Sequence, residues 1–203
     1  MLDHVMRRFK EDLLQPVVWL AGDRIHPTAI TLMGAGAGVA AGGAILSGNI
    51  PAALLLWGTN RVLDGLDGTI ARLYDKQSDF GAYLDTLLDH LIYAWLPVTL
   101  VLTFPTWETM LALLFMLSTF YINGASWMYL SSLLEKRNLG AKRRHEMTSV
   151  TMPAGLVEGT ETVIFYTLFI VCHMHLTILF TLFGMLTLYT VLQRLWWAVR
   201  FLD

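Results

Sequence analysis

The sequence predicts an all-α integral membrane protein with six transmembrane helices, preceded by an amphipathic helix at the membrane interface. Of the 203 residues, 55% are hydrophobic and only 15% are charged, whereas soluble domains carry about 25% charged residues. Several apolar runs approach or exceed the roughly 18–20 residues that a spanning helix needs. This composition excludes a soluble enzyme.

The six predicted spans share long apolar stretches bounded by turn residues. They cover residues 27–47, 50–71, 80–104, 107–133, 153–172 and 176–199. Residues 2–22 place apolar side chains near helical spacing with charged ones between them, which favours a helix lying in the interface. A signal peptide is the alternative, but Gln15 and Pro16 interrupt its apolar core. We therefore predict one membrane domain over 1–203, with the helix bundle at 27–199.

The basic residues indicate how the chain is oriented. All 14 Lys and Arg fall within Arg7–Arg24, Arg61–Lys76, Lys136–Arg144 and Arg194–Arg200. The turns near 47–49, 104–107 and 173–175 contain none. Because cytoplasmic loops are enriched in Lys and Arg, both termini are expected in the cytoplasm of a multi-pass membrane protein. We expect the lipid bilayer, and no nucleic acid, among its partners.

The first span contains a run of small residues, "GAGAGVAAGGA". Gly34, Gly38 and Gly42 recur every four residues and so share one helix face. A phosphate-binding loop would need a strand before it, which this context lacks. The spacing therefore predicts close approach of a neighbouring helix.

Four aspartates interrupt the next two spans within "DGLDGTIARLYDKQSDFGAYLDTLLD", residues 64–89. Asp64 and Asp67 are three residues apart and share one face of the second span, and Asp85 and Asp89 likewise share a face of the third. An antiparallel pair turning near residue 76 sets Asp67 opposite Asp85 and Asp64 opposite Asp89. The four carboxylates are therefore expected to converge, roughly 15 Å of helix from the turn.

Such a cluster needs cations, because four adjacent anions cannot all stay ionised alone. Hard oxygen ligands favour Mg²⁺ or Mn²⁺, and Arg72 offers a guanidinium suited to phosphate. The small residues Gly65, Gly68, Ala71, Gly81 and Ala82 leave room for a ligand. The acids alternatively pair with Arg61 and Arg72 as bundle stabilisers, or form the midplane site of a divalent-cation transporter. Two arginines cannot neutralise four carboxylates, and no second acid signature of the kind found in repeated transporter halves is present.

The spacing Asp64-x2-Asp67-Gly68-x2-Ala71-Arg72-x8-Gly81-x3-Asp85-x3-Asp89 resembles the CDP-alcohol phosphotransferase signature at every fixed position. The resemblance implies a six-span, homodimeric enzyme that transfers a substituted phosphate from a CDP-linked donor, such as CDP-diacylglycerol, to an alcohol and releases CMP. Residues 60–68 and 155–165 resemble a bacterial branch of the family. That likeness implies a bacterial plasma membrane, with the active site on the cytoplasmic side.

The resemblance also implies roles for individual residues. Asp64, Asp67 and Asp85 would hold one Mg²⁺ or Mn²⁺ ion, and Asp85 and Asp89 would help hold a second. Asp64, Gly68, Ala71, Arg72 and Gly81 would bind the CDP-linked donor. Asp89 would be the general base, although a metal-bound carboxylate is a weaker base and would then serve more to position the acceptor hydroxyl.

The acceptor alcohol stays open between two kinds. Arg143 and Arg144 in a basic cytoplasmic loop suit a phosphorylated polyol such as glycerol 3-phosphate or inositol phosphate, although such loops also serve topology. Glu158 and Glu161 are expected one to two turns inside the fifth span. They either pair with Arg61 or contact acceptor hydroxyls or the amine of serine or another amino alcohol.

Overall fold

The computed structural model describes residues 25–137 and 155–202, and this part of the chain contains six α-helices and no strand. The helices are α1 Pro27–Leu46, α2 Ile50–Leu73, α3 Asp79–Thr103, α4 Trp107–Lys136, α5 Gly159–Val171 and α6 Leu176–Phe201. A 3₁₀ turn, His173–His175, precedes α6. The interfacial helix predicted over 2–22 lies outside the described residues.

Four segments of the described chain are long and apolar enough to cross a membrane: Pro27–Leu46, Asp79–Thr103, Trp107–Lys136 and His173–Phe201. The all-helical membrane protein is therefore confirmed, with four candidate spans where the sequence predicted six. The other two helices differ for separate reasons. α2 is 24 residues long but carries charged residues in its second half, and α5 has only 13 residues.

The predicted start of the fifth span is wrong, because α5 begins at Gly159 rather than at 153. Glu158 is the N-cap residue, and Glu158 and Glu161 form a capping box. Both acids therefore lie at the helix N-terminus, not one to two turns inside it. At ~1.5 Å per residue, α5 is about 20 Å long.

In the four residues before α5, every backbone N–H donates to a side chain. These bonds explain why the segment stays outside the helix. Their acceptors are Glu158 Oε1 for Gly155 (3.1 Å), Gln193 Oε1 for Leu156 (2.9 Å), Thr190 Oγ1 for Val157 (2.9 Å) and Glu161 Oε2 for Glu158 (3.1 Å). Non-helical backbone is tolerated inside a membrane protein where protein groups satisfy its hydrogen bonds in this way.

The glycine face of α1 packs closely on α2 and α3, as predicted. A Cβ at Gly34 would lie 3.3 Å from Leu63 Cβ, and one at Gly38 would lie 2.7 Å from Ile92 Cδ1. At Gly42 it would meet the Trp95 indole. Because α1 packs closely on both α2 and α3, the three helices enclose the space next to the aspartates.

The turn between α2 and α3 fixes the register of that pair. Asp75 adopts a left-handed conformation with φ 53°, and Ser78 then caps α3 by accepting a hydrogen bond from the Gly81 N–H at 3.0 Å. Serine is among the favoured N-cap residues. The chain therefore reverses directly after α2.

The turns without Lys or Arg gather at the opposite end of the bundle. Thr103 Oγ1 donates to Ile45 O at 3.2 Å, and Phe104 stacks on His173 with ring centroids 4.6 Å apart. Thr109 and Thr177 hydroxyls lie 3.0 Å apart. These turns, which the sequence predicted to share a side, thus lie together at one end of the bundle and contain neither Lys nor Arg.

Candidate active site

The four aspartates line one pocket between α1, α2 and α3. The lining residues are Thr31, Gly34, Ala35, Asn60, Asp64, Asp67, Asp85, Leu88, Asp89 and Ile92. The cavity volume is about 10 Å³, on the order of a single water-sized occupant. The pocket as it stands therefore has the size for a small ion or a water molecule.

Each carboxylate has a different neighbour. Asp67 is the most buried, at 5% exposure, and accepts a 2.5 Å hydrogen bond from Thr31 Oγ1. Asp89 Oδ1 pairs with Arg61 Nη2 at 2.7 Å, and Asp64 Oδ2 lies 3.7 Å from Arg61 Nη1. Within residues 25–137 and 155–202, Asp85 has neither a hydrogen-bond donor nor an ion-pair partner on its carboxylate.

Arg61 is held in place by both helices of the aspartate pair. Its Nε donates to Asn60 Oδ1 at 2.8 Å and its Nη1 to Tyr93 Oη at 2.9 Å. The guanidinium carbon lies 4.7 Å from the Trp57 ring centroid and 5.4 Å from that of Tyr93. The side chain is therefore buried, stacked and bonded through all three nitrogens, the third of them to Asp89.

No three acidic, histidine or cysteine side chains among the described residues gather closely enough to hold a metal ion as they stand. Adjacent carboxylates repel, and three of the four lie against protein donors: Asp67 against Thr31, and Asp64 and Asp89 against Arg61. The ligand roles of the aspartates thus stay a prediction.

The remaining signature residues lie nearer the α2–α3 turn, outside the pocket lining. Arg72 is exposed in the last turn of α2, and its Nη1 would be 3.3 Å from a Cβ at Gly68. Ala71 precedes it, and Gly81 lies in the first turn of α3. These residues flank the side of the pocket that faces the turn.

The predicted acceptor residues are not gathered at the aspartates. Arg143 and Arg144 lie outside the described residues. Glu158 and Glu161 cap α5, and the expected pairing with Arg61 is wrong, because that guanidinium is bonded to Asn60, Tyr93 and Asp89. Glu158 instead attracts Arg194 of α6.

Sequence reasoning missed three contributors to the site: Thr31, Asn60 and Tyr93. Asn60 Nδ2 donates to Gly34 O at 2.8 Å and so ties α2 to α1. The sequence offered a usable signal for two of them. Asn60 is a polar residue beside Arg61 in an apolar run, and Thr31 lies one turn before Gly34 on the close-packed face of α1. Tyr93 carried no such signal, since an aromatic residue is ordinary in a membrane helix.

Comparisons with known proteins identify the family of this chain. Residues 24–197 match the family model of CDP-alcohol phosphatidyltransferase. The inner membrane protein YnjF of Escherichia coli (strain K12) is 34% identical over 97% of this chain and 94% of its own length. A CDP-diacylglycerol–serine O-phosphatidyltransferase of Mycobacterium tuberculosis is 41% identical over 66 residues, 32% of this chain and 23% of its own.

Solved structures share the fold. The crystal structure of Mycobacterium tuberculosis phosphatidylinositol phosphate synthase with CDP-DAG bound superposes with a TM-score of 0.67 at 18% identity, over 93% of this chain and 92% of that one. The same enzyme in complex with manganese and citrate gives 0.66 at 20% identity, over 92% and 87%.

The fold and the signature together define a membrane-embedded transferase of phospholipid synthesis. The chain belongs to the CDP-alcohol phosphatidyltransferase family.

Proposed function

We propose that this protein transfers a phosphatidyl group from CDP-diacylglycerol to the hydroxyl of a small polar alcohol, with release of CMP. One observation carries the proposal: the family signature is complete, and its four aspartates line a single pocket. The CDP-DAG bound to the mycobacterial relative supports this donor.

We propose that the aspartates hold two divalent cations, Mg²⁺ or Mn²⁺. The donor set fits, because carboxylate oxygens are the ligands that these ions prefer and Asp85 has no other described partner. Asp64, Asp67 and Asp85 would hold one ion, and Asp85 and Asp89 the second. Bound cations neutralise the pyrophosphate and the charge developing on CMP. The manganese bound to the related synthase supports this choice.

The chain's own residues then position the two substrates. Asp64, Gly68, Ala71, Arg72 and Gly81 would bind the donor, with Arg72 donating to phosphate oxygens and the glycines leaving room for the nucleotide. The acceptor oxygen forms a bond to the β-phosphorus while the bond from that phosphorus to the CMP oxygen breaks. Asp89 orients the acceptor hydroxyl and receives its proton.

We further propose that all six described helices span the membrane behind an interfacial helix at 2–22. The pocket and both termini would face the cytoplasm of a bacterial plasma membrane. Support comes from the basic-free turns meeting at one end of the bundle and from the inner-membrane relative. The homodimer rests on the family alone.

The decisive test is CMP release by purified protein in detergent. Release from CDP-diacylglycerol should require both an alcohol acceptor and Mg²⁺ or Mn²⁺, and EDTA should abolish it because the carboxylates then lack their cations. Cation flux into liposomes without CMP release would favour the transporter and contradict the proposal.

For the acceptor we propose a phosphorylated polyol, such as glycerol 3-phosphate or inositol phosphate, bound by Arg143 and Arg144. An amino alcohol such as serine is the second candidate, favoured by the serine O-phosphatidyltransferases among the relatives. Arg143→Ala or Arg144→Ala should raise the acceptor KM by ~10-fold, about 1.4 kcal/mol of binding.

The donor KM serves as the control, since it should change little in either arginine variant. A screen of both acceptor kinds identifies the better substrate. An enzyme that prefers serine, or one whose kinetics ignore both substitutions, would make Glu158 and Glu161 the better acceptor candidates.

A further inference from the structure

The buried cluster around Arg61 has no part in the reaction as described so far. Arg61 is 8% exposed and Tyr93 likewise 8%. Tyr166 of α5 fixes Tyr93 in turn, because its hydroxyl donates to the Tyr93 carbonyl oxygen at 2.6 Å. The guanidinium is therefore held from α2 and α3, and among the four aspartates its hydrogen bond goes to Asp89.

We propose that Arg61 is a positioning residue that reserves Asp89 for the acceptor alcohol and limits its use as a metal ligand. The guanidinium binds Asp89 Oδ1 and leaves Oδ2 for the acceptor hydroxyl. The inference rests on the proposed function, and it addresses whether Asp89 orients the acceptor or chiefly holds a cation.

Geometry supports the positioning role. A guanidinium is a planar fork, and here its three nitrogens have partners in three directions, so that rotation of the group would break several bonds at once. Charge-assisted hydrogen bonds are also about twice as strong as neutral ones. Asp89 therefore has one oxygen fixed by a guanidinium that Asn60 and Tyr93 hold in turn.

Charge supports the second part of the proposal. Arg61 also lies 3.7 Å from Asp64, so its positive charge faces two of the carboxylates that would hold cations. A fixed positive charge next to these carboxylates opposes the binding of a divalent cation in a low-dielectric site. Removing the charge should then strengthen cation binding while it weakens turnover, whereas simple structural damage would weaken both.

The test compares Arg61→Gln and Arg61→Lys with the unaltered protein, using kcat for CMP release and Mn²⁺ affinity measured by electron paramagnetic resonance. Arg61→Gln should lower kcat ~10-fold or more and tighten Mn²⁺ binding ~3-fold or more. Arg61→Lys keeps the charge but loses the fork, so kcat should fall ~10-fold while Mn²⁺ affinity stays within about 2-fold.

Two further variants guard against misfolding. Thr167→Val removes the 3.0 Å hydrogen bond that Trp57 Nε1 donates in the same cluster, and both readouts should stay within about 2-fold. Tyr93→Phe removes one of the three partners of Arg61, and kcat should fall ~3-fold; Tm should fall modestly with the fold retained, because a buried N–H loses its acceptor.

Unchanged kcat in the Arg61 variants, or weaker Mn²⁺ binding together with lower kcat, would overturn the inference. Absence of CMP release by the unaltered protein would instead overturn the proposed function.

Discussion

At the scale of single residues, the four aspartates are chemically alike but placed differently. Asp67 is fixed by Thr31, Asp89 by Arg61, and Asp85 by no described side chain. A carboxylate without a protein donor depends most on a cation, whereas one held by arginine keeps its place when the cation leaves. Substitution of each should therefore affect donor binding and turnover to different extents.

We predict that Asp67→Asn and Asp85→Asn lose both Mg²⁺-dependent binding of CDP-diacylglycerol and turnover, because each removes a charged ligand. Asp89→Asn should lower kcat by ~10²–10⁴-fold, as expected when a general base is lost, with a smaller loss of donor affinity. Equilibrium binding of the CDP-linked donor and initial rates of CMP release measure the two effects. Equal loss of donor binding in all three variants would contradict the role given to Asp89.

At the scale of helices, the α1 face tests how closely the bundle is packed. Gly42 and Gly43 are neighbours on α1, yet a Cβ at Gly42 would meet the Trp95 indole while one at Gly43 would have no atom within 4 Å. Trp95 also donates a 3.2 Å hydrogen bond to Val39 O. Substitution of the two glycines therefore separates two effects: the cost of a steric clash at Gly42 and the helix preference of alanine at Gly43.

Gly42→Ala should lower the free energy of unfolding by about 1–3 kcal/mol, because the indole must move and its hydrogen bond is lost. Gly43→Ala should be neutral or add about 0.5–1 kcal/mol, since alanine favours the helix. Thermal or denaturant unfolding in detergent measures both. Equal stability of the two variants would show that α1 and α3 are less closely packed than described.

A second prediction at this scale concerns the cap of α5. Glu161→Ala should cost about 1 kcal/mol of stability, because the Glu158 N–H loses its 3.1 Å acceptor. Glu161→Gln keeps an acceptor oxygen and should keep both stability and acceptor KM. A raised acceptor KM in the Gln variant at normal stability would show that this acid contacts the acceptor.

Sequence reasoning succeeded where local rules decide the outcome. Pro27 and Ser78 stand at helix starts that the structure places within one residue of the prediction, and i,i+3 and i,i+4 spacing sufficed to put the aspartates in one pocket. It failed at α5, whose start depends on Thr190 and Gln193 of a different helix. The sequence offered pairing of the acids with Arg61 as an alternative, but it left open which acid is reached, because that depends on rotamers and on Tyr93.

At the scale of the whole molecule, the two ends of the bundle are chemically distinct. Ser47 lies in a turn at the end where the turns lack Lys and Arg, and Gln77 lies in the α2–α3 turn next to Lys76. Both side chains are exposed. Single cysteines at these positions therefore test whether the two ends of the bundle face opposite sides of the membrane.

We predict that, in a Cys172→Ser background, a membrane-impermeant maleimide labels Ser47→Cys in intact cells. Gln77→Cys should react only after the membrane is permeabilised, because the positive-inside rule places that turn in the cytoplasm. Gel-shift of the labelled protein is the readout, and retained CMP release shows that each variant is folded. The reverse labelling pattern would place the pocket on the other face.

The short α5 has a consequence for the lipids around it. If α5 spans the membrane as proposed, its length of about 20 Å falls short of a hydrocarbon layer of ~30 Å, and neighbouring acyl chains would have to compress or tilt to cover it. Since α5 packs against α2 and α3, that thinner patch of bilayer would border the two helices that carry the aspartates.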